Sequence, residues 1–375
     1  MEEDGYALRV KKKDGQKAKE ALKSMGALDE SRTIGKEGDF LLLPITGESA
    51  KKINEDSKPS PWARGNGEPL TPPKAEGASL PKGAKVVEAK LEAKEQQGSF
   101  RILFSKRFGE EKAKGILSSY EVIGDIAIIQ VPKEMEPLQK EIGELLLEGE
   151  KRVKAVFRKT GGREGVFRVT PLAHIAGENR TETEYTENGV RMKLDLSKVY
   201  FSPRLSTERK RIAEAAKDKE NVLILFAGIG PFALEVAKAH PKCKVAGVEL
   251  NPDAIRYFKE NIKLNKLTNT EAILGDAKKE CSLRFASWAD RIAMPLPMGA
   301  GEFLEPAMVA AKDGCTIHFY TMLEREAGTR EAKREITKIA RRLNREVEFL
   351  FEKEVRPYSA STAQFAIDFR VSKKR

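Results

Sequence analysis

Residues 221–253, NVLILFAGIGPFALEVAKAHPKCKVAGVELNPD, limit what this chain can fold into more than any other stretch. Val222 to Phe226 is an apolar run too short for a globular helix and long enough for a buried strand. In Ala227-Gly228-Ile229-Gly230-Pro231, two glycines let the backbone turn tightly and approach a ligand, and Pro231 suits the first turn of a helix. Phe232 to Ala239 reads as that helix, Val245 to Val248 as a second strand ending in Glu249, and Asn251-Pro252 as the next helix start. The result is a strand–loop–helix–strand–acid unit, with the acid about 20 residues past the glycines, where a carboxylate can accept both hydroxyls of a ribose. The two-glycine loop by itself also suits a plain tight turn. Ala233 stands where a third glycine would complete Gly-x-Gly-x-x-Gly, and the loop has no Lys-Ser or Lys-Thr pair for a triphosphate loop. A nucleoside ligand without pyrophosphate is expected, and S-adenosylmethionine fits better than NAD.

The 375 residues allow two or three domains. Lys and Arg total 68 against 57 Asp and Glu, a net charge of +11, which suits a polyanionic partner such as nucleic acid; a charged, soluble surface is the plainer reading. Cys243, Cys281 and Cys315 lie far apart, and His174, His240 and His318 are scattered, so neither a metal cluster nor a disulfide set is expected. With no signal-peptide pattern and no membrane-length apolar run, a reducing, cytoplasmic setting is expected, with no membrane partner.

Four segments follow in order. Residues 1–50 suggest a small α/β domain with strands over 6–10 and 39–44, a helix over 16–25 and a lysine-rich surface. Residues 51–99, which include Trp62, suggest a Pro- and Gly-rich linker, with a short charged helix over 85–97. Residues 100–203 suggest a second α/β or α+β domain: one apolar strand over 123–131, a helix over 134–147, a basic strand over 153–159, and a hairpin turning at Asn188-Gly189. Lys154, Arg158, Lys159 and Arg163 belong to its basic patch. Residues 204–375 alternate strand and helix, with strands over 222–226, 245–249, 271–275, 290–294, 314–320, 346–354 and 364–372. The last two form an antiparallel pair. The expected fold is a doubly wound, Rossmann-like, seven-stranded sheet of the class I S-adenosylmethionine methyltransferase kind, with ligand at the C-terminal ends of the early strands.

Asp276, after Gly275, can accept an adenine amino proton or serve as an ordinary cap. Met294-Pro295-Leu296-Pro297-Met298-Gly299 forms a stiff loop that suits a flat base or a rigid turn. Ser206 reads as a helix N-cap, placing Glu208 in the first turn, where it complements the helix dipole or points over the ligand as a general base.

Taken together, Tyr200-Phe201-Ser202-Pro203-Arg204-Leu205-Ser206-Thr207-Glu208-Arg209, Phe226-Ala227-Gly228-Ile229-Gly230-Pro231-Phe232, Glu249-Leu250-Asn251-Pro252 and Met294-Pro295-Leu296-Pro297 resemble the archaeal and eukaryotic tRNA (guanine-N1)-methyltransferases that act on position 37. The resemblance extends to Gly177–Thr183 and Val355–Ser359, and covers nearly the whole chain outside the linker. It implies a three-domain enzyme that binds tRNA and S-adenosylmethionine. The chemistry requires no metal, and a monomer without an obligatory protein partner is expected. Glu208 would take the N1 proton, Arg168 would steady charge on O6, and Pro295 and Pro297 would frame the base. Tyr200, Phe201, Phe226, Ala227, Gly228, Gly230, Glu249, Asn251, Asp276 and Ala277 would hold the cofactor. Lys154, Arg158 and Lys159 would contact tRNA, and Arg204 and Arg209 would bind tRNA or orient neighbours. Two positions depart from the family pattern: Pro295 replaces a usual asparagine, and Ile224 a usual acid. A wyosine-pathway enzyme acting on position 37, or a tRNA-binding protein without activity, are the alternative readings.

Overall fold

The computed structural model describes residues 2–29, 32–56, 80–81, 83–92, 100–117, 120–162 and 165–374. They fall into two compact units, Met1–Ser99 and Phe100–Arg375.

The first unit contains β1 (Glu2–Lys11), α1 (Gly15–Ser24), β2 (Gly35–Glu37), β3 (Phe40–Ile45), α2 (Gly47–Asp56) and β4 (Lys85–Glu92), with an antiparallel sheet in the order β2-β3-β1-β4. Leu8 and Val10 alternate from β1 into a core shared with Ala18, Leu22, Leu43 and Ile45. The charged helix expected over 85–97 is instead a strand. Val86 and Val87 are β-branched and pair with Leu8 and Ala7, so β4 satisfies the second edge of β1. Within the stretch expected as a linker over 51–99, α2 runs on to Asp56 and β4 belongs to the sheet. Trp62 lies outside the described residues.

The second unit begins with α3 (Phe100–Phe108), α4 (Glu110–Leu117), β5 (Tyr120–Ile123), β6 (Ile126–Ile129), α5 (Gln139–Gly149), β7 (Ala155–Lys159) and β8 (Leu172–Gly177). The apolar run 123–131 is not one strand but spans the turn of an antiparallel hairpin between β5 and β6. Gly124 turns the chain at φ 60°, where a Cβ would lie 2.2 Å from Thr183 Oγ1. The helix expected from 134 starts as a 3-10 turn, Lys133–Leu138, and becomes α5 only after Pro137, which has no N–H to give.

A separate hairpin follows, β9 (Glu182–Glu187) and β10 (Val190–Asp195), turned through Asn188 and Gly189 at φ 46° and 76°. Its apolar face, Val190, Met192 and Leu194, enters the same core as Ile212, Val222 and Phe258. It thus packs on the large sheet domain, earlier in the chain than the boundary expected at 203/204.

That domain contains α6 (Ser206–Ala215), β11 (Asn221–Leu225), α7 (Pro231–Ala239), β12 (Lys244–Glu249), α8 (Pro252–Leu264), β13 (Thr270–Leu274), α9 (Ala277–Leu283), β14 (Ala289–Met294), α10 (Leu304–Ala310), β15 (Ala311–Glu324), α11 (Arg330–Arg342), β16 (Arg345–Pro357) and β17 (Thr362–Lys373). The seven strands run β13-β12-β11-β14-β15-β17-β16, with β17 antiparallel to both neighbours. This is the expected doubly wound sheet. Apolar clusters cover its two faces, as a mostly parallel sheet requires. β16 forms one edge and carries two register shifts against β17. Among the described residues no helix is long and apolar enough to cross a membrane.

The order reverses between β11 and β14, so the loops after β11, β12, β13 and β14 meet at one end of the sheet. The turn after β11 depends on a close approach. Gly230 sits at φ 92°, and a Cβ there would stand 2.1 Å from the Phe258 ring. Gly230→Ala should cost about 2–6 kcal/mol, the sum of left-handed strain and overpacking. Thermal and denaturant melts of the variant test this; a change under about 0.5 kcal/mol, the usual size of a surface substitution, would mean that α8 moves away at little cost.

Candidate active site

A cavity of about 360 Å³ opens where these loops meet, within the usual size range for small-ligand sites. The loop after β11 forms one side. Phe226 and Gly228 both take φ 57°, and the Phe226 ring packs edge-on against Phe303, 4.7 Å between centroids. Glu249, at the end of β12, accepts from the Gly228 N–H at 2.8 Å through Oε2, and from the Leu250 and Asn251 N–H groups at 2.9 and 2.8 Å through Oε1. Three backbone donors thus hold the carboxylate in place at the cavity wall, and one acceptor direction is left. Asp276 caps α9 by accepting from Lys278 N through Oδ1. Its Oδ2 has no hydrogen bond among the described residues. Ala227, Gly228, Asp276 and Ala277 all line the cavity.

The ligand test rests on shape and on the donor set. The glycine turn brings bare backbone to the cavity, a fixed carboxylate stands at the end of β12, a second carboxylate oxygen is open beside β13, and Phe226, Pro231, Leu250 and Phe303 supply apolar walls. These features fit a nucleoside with an exocyclic amino group, as in S-adenosylmethionine. Asn251 contributes differently from expectation. Its side chain caps α8 through Asp253 N and Ala254 N and donates to Lys198 O, so it shapes the wall with its hydrogen-bonding groups already engaged. Gly230 shapes the turn and does not line the cavity. Ile224 is buried within β11 and does not line the cavity.

The opposite wall joins Pro295, Leu296, Pro297 and Met298 to Val166, Phe167 and Arg168. Arg168 takes φ 55° and donates from Nη2 to Met298 O at 2.7 Å, which ties the residues just ahead of β8 to the proline loop. Met322 N donates to Pro297 O at 2.9 Å and holds that loop on β15. Tyr200 and Phe201 also line the cavity. Glu302 and Phe303 were not expected. They sit in the 3-10 turn Ala300–Phe303, where no periodicity marks an inward side chain.

Four of the expected side chains stand in surroundings the sequence did not suggest. Glu208 does not line the cavity; it is 3% exposed and its Oε2 accepts from Tyr320 Oη at 2.8 Å and Arg211 Nε at 2.9 Å. Ser206 is not the N-cap of α6, because a 3-10 turn over Pro203–Leu205 runs straight into the helix. Arg209 is no surface cation. It is 2% exposed, paired with Glu187 (Nη2 to Oε2, 2.8 Å) and Glu235, and its guanidinium lies 5.3 Å from the Phe201 ring centroid. The basic patch is partly neutralised: Arg158 pairs with Glu136, and both Lys159 and Arg204 pair with Glu121. Lys154 is exposed, and Arg163 lies outside the described residues.

Three family profiles tile the chain: the tRNA methyltransferase 5 N-terminal domain over residues 7–53, the TYW2 N-terminal domain over 100–181, and the TRM5/TYW2 methyltransferase domain over 183–349. The tRNA (guanine(37)-N(1))-methyltransferase Trm5b of Pyrococcus abyssi is 39% identical over 368 residues, 98% of this chain and 99% of its own. The solved complex of aTrm5 with tRNALeu is 32% identical, covers 97% of this chain and 99% of that one, and gives a TM-score of 0.65. The tRNA(Phe) (4-demethylwyosine(37)-C(7)) aminocarboxypropyltransferase of Pyrococcus horikoshii is 32% identical over 273 residues, 73% of this chain and 96% of its own.

Two carboxylates and one guanidinium are buried together at Glu187, Glu235 and Arg209. Burial, and then the Glu187 charge, push Glu235 up to about 8, against the pull of Asn188 and Arg209. A carboxyl raised on folding contributes its full stability below its unfolded value near 4.5, and loses it as pH rises to about 8. Glu235→Gln carries no such penalty. At pH 8 it should be more stable than the parent by on the order of 1–3 kcal/mol, with the difference shrinking toward pH 5. Denaturant melts across that range test this, and parallel pH profiles for the two proteins would refute it.

Proposed function

Because the chain belongs to the TRM5/TYW2 methyltransferase family, we propose that it transfers the methyl group of S-adenosylmethionine to N1 of guanine-37 in tRNA. One observation carries the choice within the family. The match to a guanine-37 N1-methyltransferase runs over 98% of this chain, whereas the match to the aminocarboxypropyltransferase runs over 73%.

When bound, S-adenosylmethionine supplies an electrophilic methyl group. The residues that would hold it are Glu249, through its one open acceptor direction, for a ribose hydroxyl, Asp276 for the adenine amino group, and the Phe226–Gly228 backbone and apolar walls for the rings. Guanine N1 is a poor nucleophile while protonated, so a base must remove its proton as the new bond forms. Glu208 takes that proton in this reading. It must first leave Tyr320 and Arg211 and turn toward the cavity; catalytic contacts often tighten only in the substrate complex. Arg168, already at the cavity wall, steadies the charge that develops on O6. Pro295 and Pro297 keep their loop rigid, and its backbone groups do what a side-chain amide cannot do there.

The first unit and residues 100–181 bind tRNA in this reading. Their exposed cations, Lys12 and Lys13 in one and Lys154 in the other, suit phosphates. The enzyme works in the cytoplasm as a single chain.

Nucleoside mass spectrometry of an unmodified tRNA transcript with guanine at position 37 tests the function. A one-methyl increase at N1 of that guanine is expected; modification of a tricyclic wyosine precursor alone would favour the aminocarboxypropyltransferase reading. Glu208→Gln should lower the methyl-transfer rate by about 10²-fold or more with tRNA affinity kept. An unchanged rate would remove Glu208 as the base. Lys154→Ala should weaken tRNA binding and reduce the slope of log affinity against log salt by about 1. Arg158→Ala should leave that slope alone, since Glu136 already neutralises Arg158.

A further inference from the structure

Beneath α6 lies a chain of polar contacts that the proposed chemistry does not use. Glu208 meets Arg211. Arg211 grips Asp368 on β17, with Nη1 to Oδ2 at 2.5 Å and Nη2 to Oδ1 at 3.4 Å. Asp368 Oδ1 lies 2.9 Å from His318 Nδ1 on β15. His318 Nε2 lies 2.8 Å from Arg291 Nη1 on β14, and Arg291 donates to Glu220 ahead of β11 at 2.8 Å. The chain crosses the centre of the sheet and ends at the first turn of α6.

Its chemistry is that of a fixed strut. Arginine has only donors, so the Arg291 contact makes His318 Nε2 an acceptor, and the ring is neutral with its proton on Nδ1, facing Asp368. Asp368, His318 and Arg291 are each 5% exposed or less. Apolar side chains of the same volume would hold this interface at least as well, because buried ion pairs rarely repay their desolvation. What apolar contacts do not supply is a defined direction. Arg211 presents a rigid planar fork, one side clamped by Asp368 and the other meeting Glu208. Tyr320 Oη meets the same Glu208 oxygen, and its ring sits 6.2 Å from that of Phe232, a cavity wall.

We propose that Arg211, Asp368 and Tyr320 are positioning residues for methyl transfer: they set the rotation of α6 and the resting pose of Glu208 from which it reaches the target base. The proposal rests on the reading of Glu208 as the base.

The test separates position from stability. Asp368→Asn should lower the transfer rate by about tenfold or more, the scale expected for a small misplacement of a catalytic group, while the dissociation constant for S-adenosylmethionine stays within about twofold, well short of the tenfold that 1.4 kcal/mol of lost binding energy would bring. The double variant Arg211→Met/Asp368→Leu replaces the pair with apolar volume. Its melting temperature should return to within a few degrees of the parent's, a ΔΔG under about 1 kcal/mol, but its rate should stay low. A rate that recovers together with the melting temperature would overturn the proposal. Tyr320→Phe keeps the ring and serves if the double variant does not fold; it should lose rate without losing stability, and a parental rate would count against the proposal. Glu208→Gln locates the failure. If it keeps the parental rate, the base assignment fails. If it is slow while the double variant is fast, only the positioning role fails.

Discussion

The site depends on one close packing contact, the Phe258 ring against two missing side chains. A Cβ at Gly230 would stand 2.1 Å from that ring and one at Gly247 would stand 2.4 Å from it. The aromatic group of α8 therefore fills space that any other residue at either position would claim, and this brings the turn after β11 and the body of β12 together at the cavity. The same helix ties in the rest. Asn261 accepts from Lys193 N on the β9–β10 hairpin and donates to Ile229 O in the glycine turn. Tyr257 donates to Glu182 at the hairpin's start. The cavity keeps its shape because α8 holds two loops and a hairpin at once.

Features that follow from local chemistry were legible in the sequence. The central strands of the large sheet announce themselves as short apolar runs, the glycine turn by residues that tolerate positive φ, and the β9–β10 hairpin by Asn188-Gly189. What was not legible depends on partners distant in the chain. Val86 and Val87 form a strand because β1 has an open edge, and the run around Ile123 breaks at Gly124 because Thr183 and Glu184 leave no room for a Cβ. Phe303 and Glu302 reach the cavity from an irregular turn, which has no period to read.

Charge was the least legible property of all. A surplus of cations suggests a polyanion, but it does not say which cations face outward. Arg209 lies in a basic, motif-like segment and is fully enclosed by Glu187, Glu235 and two aromatic rings. Arg211, two residues on, belongs to the strut under α6. Arg158 reaches Glu136, and Arg204 reaches Glu121 on β5. Several arginines of this chain thus work as internal fasteners, using their planar fork for geometry, and the surface available to phosphates is smaller than the count implies.

The outermost strand of the large sheet has a further consequence. An exposed strand with a free row of N–H and C=O groups is a template onto which another chain can add. β16 is long, and Phe349, Leu350 and Phe351 stand in its middle. Yet its ladder to β17 slips twice, between Phe349 and Phe351 and between Glu354 and Arg356, and Glu346, Glu348, Glu352 and Lys353 project along it. Each slip puts the free backbone groups out of step with a straight incoming strand, and each charge would have to lose water in a new interface. The sheet can therefore end in solvent with a greasy centre to its last strand and still discourage its own polymerisation.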